Sequence, residues 1–86
     1  MTYSLRIKKS AARSLAKVDK PVRLRLIEAI DRLQTEPHAG GVLKGEFAGL
    51  RRLRVGDFRI VYEVINDELV VLVIRVGHRR EVYRAR

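Results

Sequence analysis

The chain has 86 residues, no cysteine and a formal net charge of +9. The length sets one domain as the expectation, and apolar residues at 47% argue for a packed core and against disorder. With no cysteine there is no disulfide, thiolate metal site or cysteine nucleophile, and two histidines without clustered partners give no basis for a structural metal or cofactor.

The N-terminus, MTYSLRIKKS, is basic but is followed by no hydrophobic segment, so it does not read as a secretory signal. Residues 3–8, YSLRIK, alternate weakly and predict a first strand. Ser10 is a candidate N-cap for a short helix to about Lys17, with Ala12, Leu15 and Ala16 on one side. Asp19 is a second candidate cap. Pro21 follows in the first turn, where its missing N–H does no harm. From there to about Thr35, Val22, Leu26, Ile27, Ala29, Ile30 and Leu33 form a broad apolar stripe of helical period. Glu28 and Arg32 sit at the favourable i, i+4 spacing on the other side. Glu36-Pro37 ends the helix.

Residues 38–49, HAGGVLKGEFAG, read as a glycine-rich loop that includes His38. Three strands are then predicted, over 50–55, 58–65 and 69–76. The last is apolar on both sides and so should be central. Its longest apolar run, Leu69 to Ile74, is far too short to span a bilayer. A soluble cytoplasmic protein without a membrane partner is the expectation. HRREVYRAR leaves room for a short edge strand or a tail. The order β-α-α-β-β-β predicts an α+β fold: one domain over 1–86, with two N-terminal helices on a mainly antiparallel sheet of about four strands.

The stretch RRLRVGDFR concentrates the positive charge. Gly56-Asp57 fits a two-residue hairpin loop. Val55 then faces Phe58, Arg54 faces Arg59, Leu53 faces Ile60 and Arg52 faces Val61. Leu53, Val55, Phe58 and Ile60 share the core side, and Arg52, Arg54 and Arg59 share the other. A directly opposed like-charge pair is unfavourable by up to about 1 kcal/mol. A phosphate between the guanidiniums would reverse that sign, because each presents a planar donor fork. The cluster reads either as an anion site or as a row of solvated arginines. The net charge likewise points to a polyanionic partner, such as nucleic acid, an anionic membrane surface or an acidic protein. His78, Arg79, Arg80 and Tyr83 follow the central strand and could reach the same face. His78 can change charge near neutral pH, and Tyr83 can bond a phosphate or stack on a base.

LRRLRVGDFRIVYEV followed by VVLVIRVGHRREVYR resembles the RelE/ParE toxin superfamily, on its RelE side, most specifically over residues 44–84. The resemblance implies a ribosome-dependent endoribonuclease, an mRNA interferase that enters the 30S A site and cuts mRNA without a metal. The ribose 2′-OH attacks the adjacent phosphate to leave a 2′,3′-cyclic phosphate and a 5′-OH. The family's catalytic positions fall on Arg52, Arg54, Arg59, Arg79 and Tyr83. Arg51, Lys44 and Arg80 are the expected RNA-binding neighbours. The best-known member has lysines where this chain has Arg52 and Arg54. An arginine does not lose its proton, so His78 and Tyr83 become the candidates for general base, unless the ribosome contributes. The resemblance also implies a cognate acidic antitoxin that wraps the toxin, with the complex bound to operator DNA. A ParE-like poison of DNA gyrase and a non-catalytic nucleic-acid-binding module are the alternatives.

Overall fold

The computed structural model describes residues 2–78. Helices α1 (Lys9–Ala16) and α2 (Lys20–Arg32) follow strand β1 (Ser4–Ile7). Strands β2 (Gly41–Val42), β3 (Arg51–Val55), β4 (Phe58–Ile65) and β5 (Val70–His78) complete one sheet of order β1-β5-β4-β3-β2. β1 runs parallel to β5 and every other pair is antiparallel. The expected α+β architecture is present, with β2 as an additional strand among the described residues, and the short strand or tail allowed after His78 lies outside them. β5 is interior, as its two-sided apolarity requires. No helix among the described residues is long and apolar enough to cross a membrane.

Both helices lie on one face of the sheet. Ala11 and Leu15 of α1 and Leu26, Ile30 and Leu33 at the i, i+4, i+7 positions of α2 are buried with Ile60, Tyr62, Val71, Val73 and Val76. The α2 stripe is narrower than its sequence suggests, since Ile27 is 41% exposed. Leu26→Ala should therefore lower the unfolding free energy by about 2–5 kcal/mol in urea titrations. Ile27→Ala should change it by only about 0.5 kcal/mol.

The helix boundaries correct three expectations. α1 begins before Ser10, with Lys8 as the residue preceding its first turn and no side-chain cap. The main chain itself turns there, since the Ala12 N–H reaches the Lys8 carbonyl at 2.9 Å. Asp19 does precede α2 and Pro21 does occupy its first turn, yet the Asp19 side chain makes no cap bond. α2 stops at Arg32 rather than Thr35, because the final N–H groups tighten onto carbonyls three residues back.

The glycine-rich segment is more ordered than a plain loop. It contains β2 and a single 3₁₀ turn, Gly45–Phe47. The buried Tyr62 hydroxyl accepts the Gly40 N–H at 2.9 Å and donates to the Pro37 carbonyl at 2.8 Å. Arg51 donates from Nη1 to the Gly40 carbonyl at 2.7 Å. These bonds hold β2 against β3, where Gly41 pairs with Arg52. At the other end of the sheet, Leu69 adopts φ 54° in the β4–β5 turn, so β5 starts one residue later than expected.

Candidate functional site

The β3–β4 hairpin has the register predicted from its loop. Val55 pairs with Phe58, Arg54 with Arg59, Leu53 with Ile60 and Arg52 with Val61. Gly56, at φ 58°, is the first of the two loop residues, and Asp57 keeps a negative φ. That combination suits a II′-type turn, which favours glycine in this position. Register partners share a face. Leu53, Val55, Phe58 and Ile60 pack with the helices, so Arg52, Arg54 and Arg59 stand together on the helix-free face.

The opposed arginines avoid one another by taking different environments. Arg54 is exposed, whereas Arg59 is only 8% exposed and is the one buried charged residue among those described. Arg59 folds back over the turn, donating from Nη1 to the Gly56 carbonyl at 3.2 Å and the Phe58 carbonyl at 3.0 Å. Neither acceptor is a carboxylate, so among the described residues its charge is hydrogen-bonded but not paired with an acid. A guanidinium carries five donors. Those at Nε and Nη2 have no acceptor among the described residues. The arrangement suits an arriving anion, which would meet a pre-oriented fork.

A β-bulge decides what else reaches this face. Tyr62 pairs with Val73 but Val61 pairs with Arg75, leaving Ile74 as an extra residue in β5. Simple alternation from Val71 and Val73 would put Arg75 on the core side and His78 on the open side. The extra residue exchanges them. Val76 enters the core and Arg75 stands beside Val61 on the arginine face.

His78 consequently pairs with Phe58 on the helix side, and the two rings meet edge to face at 5.8 Å. It lies at the end of a groove of about 850 Å³ bordered by Ala11, Val18 and Val22. Consecutive residues Ile74–His78 border that groove too, as a strand edge does, because β1 pairs with β5 only as far as Val73. The expectation that His78 joins the arginine cluster is thus corrected. Arg51 needs the same correction. It pairs with Tyr62 on the helix side and its guanidinium binds the Gly40 carbonyl, which removes it from the open face. Lys44 is exposed just before the 3₁₀ turn, and His38 is exposed in the preceding loop. Arg79, Arg80 and Tyr83 lie outside the described residues. Among the described residues, no three of His, Cys, Asp and Glu come together closely enough to hold a metal ion.

The family described as "ParE toxin of type II toxin-antitoxin system, parDE" matches residues 5–83. This chain belongs to the RelE/ParE family of type II toxin–antitoxin toxins. Among its relatives, the toxin RelG of Mycobacterium tuberculosis is 33% identical over 86 residues, covering 98% of this chain and 99% of its own. The toxin–antitoxin complex RelBE2 from the same organism contains a chain that superposes with a TM-score of 0.84 at 31% identity, over 92% of this toxin and all of the other. An RelE–RelB complex from Pyrococcus horikoshii gives 0.76 at 32% identity, covering 99% and 100%. The toxin therefore has a RelE-like fold as well as a family membership, and these two relatives are each seen bound to an antitoxin.

Proposed function

We propose that this toxin is a ribosome-dependent mRNA interferase, a metal-independent endoribonuclease that inhibits translation. The observation that carries the reading is the buried Arg59, with no acid paired to it among the described residues, beside Arg52 and Arg54 on a face that the helices leave open. In-line attack by a ribose 2′-OH builds negative charge on the phosphate oxygens, and fixed cations stabilise charge that develops in the transition state. Arg52 and Arg59 take that role. Arg54 orients the region of the 2′-OH. Arg79 attends the leaving 5′ oxygen, and Tyr83 positions the nucleophile or stacks on a base. The products are a 2′,3′-cyclic phosphate and a 5′-OH.

The base follows from elimination. The arginines keep their protons, and His78 faces the helices rather than the arginines. Tyr83 and groups of the ribosome are the remaining candidates. Accordingly, His78→Gln should leave the pH–rate profile of cleavage unchanged. A lost limb in that profile would return His78 to the site.

The +9 charge also favours an acidic antitoxin segment with an apolar face. Its complex with the toxin would bind operator DNA, and the toxin would act in the cytoplasm. Induced expression followed by primer extension on translated mRNA tests the activity. Breaks in register with codons are expected. Growth arrest with a DNA-damage response and intact mRNA would indicate gyrase poisoning, and binding without arrest would indicate a non-catalytic module.

A further inference from the structure

The bulge in β5 has a specific chemical result. Arg52 and Arg75 are both in register with Val61, one on each side of β4. Their Cα atoms are therefore two strand spacings apart, about 10 Å. Arg54 and Arg59 pair one row nearer the hairpin turn on the same face. Four guanidinium-bearing positions thus surround Val61, and three of them flank the fourth, buried Arg59.

Packing excludes Arg75 from the other side. On an unbroken strand it would share the face of Val71 and Val73, both fully buried. The bulge is the device that keeps its charge out of the core and turns it toward the other arginines. Bulges beside functional sites commonly re-aim one side chain in this way. The nearest acid in register on this face is Glu63, which pairs with Leu72, the other side of the bulge from Arg75.

We infer that Arg75 is an RNA-binding residue that engages a phosphate neighbouring the scissile one, so that the substrate strand crosses the sheet from β3 over β4 to β5. The inference rests on the proposed RNA substrate. The Arg52–Arg54–Arg59 group holds the reacting phosphate, and Arg75, on the far side of Val61, holds the next one along the chain. Its role is binding and register, not proton transfer.

The test is the salt dependence of binding to a 2′-O-methyl single-stranded RNA, whose capped nucleophile prevents cleavage. Each lost phosphate contact on a single strand lowers the log–log salt slope by about 0.7 and weakens binding about fivefold at 0.1 M salt. Arg75→Ala should show both changes. Arg13→Ala, an equal loss of charge at an exposed position on α1, should leave the slope as in the wild type. Should Arg75→Ala fail to fold, Arg75→Gln carries the same readout. A slope unchanged by loss of Arg75, or reduced equally by loss of Arg13, overturns the inference. Cleavage of mRNA on programmed ribosomes by the wild type separates the two levels. If the wild type cuts and the slope does not respond to Arg75, only this inference fails. If the wild type cuts no RNA, the functional reading fails and takes this inference with it.

Discussion

Arg59→Ala should abolish growth arrest and reduce mRNA cleavage on programmed ribosomes by about 10²–10³-fold, the usual effect of removing one fixed donor to a developing oxyanion. The reason is the state of its charge before substrate arrives. A buried guanidinium held by two carbonyls has already given up most of its contact with water, so little reorganisation is needed when a phosphate replaces what water remains. Arg54, directly opposite but exposed, lacks that preparation, and Arg54→Ala should cost less. The fold itself also uses Arg59. Loss of two charge-assisted hydrogen bonds to the turn should lower stability, by about 1.5–3 kcal/mol for each bond at most. Arg59→Lys separates the effects. It keeps the charge, loses the planar fork, and should recover stability more fully than it recovers cleavage. A well-folded Arg59→Ala protein that cuts mRNA within about threefold of the wild type, far short of the loss expected for an oxyanion donor, would remove Arg59 from the site.

The arginine face was legible in the sequence because a two-residue loop fixes a hairpin register. Once Gly56-Asp57 is the turn, Arg52, Arg54 and Arg59 have to share a side. What happens to Arg59 there was not legible. Its burial depends on the side chain turning back to the Gly56 carbonyl, a choice that residue spacing does not record. The β5 bulge was hidden for a different reason. LVVLVIRV is apolar on both faces, so a one-residue slip leaves no break in an alternating pattern to reveal it. The only trace is Arg75 itself, a charge at the parity of the core positions Val71 and Val73. Reading that charge as a reason for a slip would have placed Arg75 on the open face and His78 off it. β2 was missed because its partners are distant. Gly41 disfavours a strand, and Val42 alone is too short a run to signal one. The bonds that hold them come from β3 and from Tyr62, 22 residues beyond Gly40.

Those distant bonds make Gly40 and the core residue Tyr62 a sensitive pair. A Cβ on Gly40 would stand 2.7 Å from both the Arg52 carbonyl oxygen and the Tyr62 hydroxyl. One of those obstacles is backbone and cannot swing aside, so Gly40→Ala should destabilise by about 1–3 kcal/mol through overpacking alone. Tyr62→Phe instead leaves the Gly40 N–H and the Pro37 carbonyl without their partner, at about 1–3 kcal/mol for each group. The double variant should be less destabilised than the two losses added together, because Tyr62→Phe takes away the hydroxyl that the methyl of Gly40→Ala would strike. Urea unfolding of the wild type, the two single variants and the double variant measures the coupling, and strict additivity would mean that the clash lies with the Arg52 carbonyl alone. A second signature comes from pH. Burial, opposed by the Gly40 hydrogen bond and nearby Arg51, raises the Tyr62 pKa above its ordinary 10.0. Folding thus favours the protonated phenol. Its contribution is complete below pH 10 and declines as pH rises through the folded-state value, so the stability gap between the wild type and Tyr62→Phe should narrow only on the alkaline side. The functional consequence runs through Arg52, whose strand is clamped by β2 at Gly41. If the clamp positions Arg52, Tyr62→Phe will lose cleavage at temperatures where it is still folded. A variant that cuts at the wild-type rate until it unfolds would limit Gly40 and Tyr62 to stability alone.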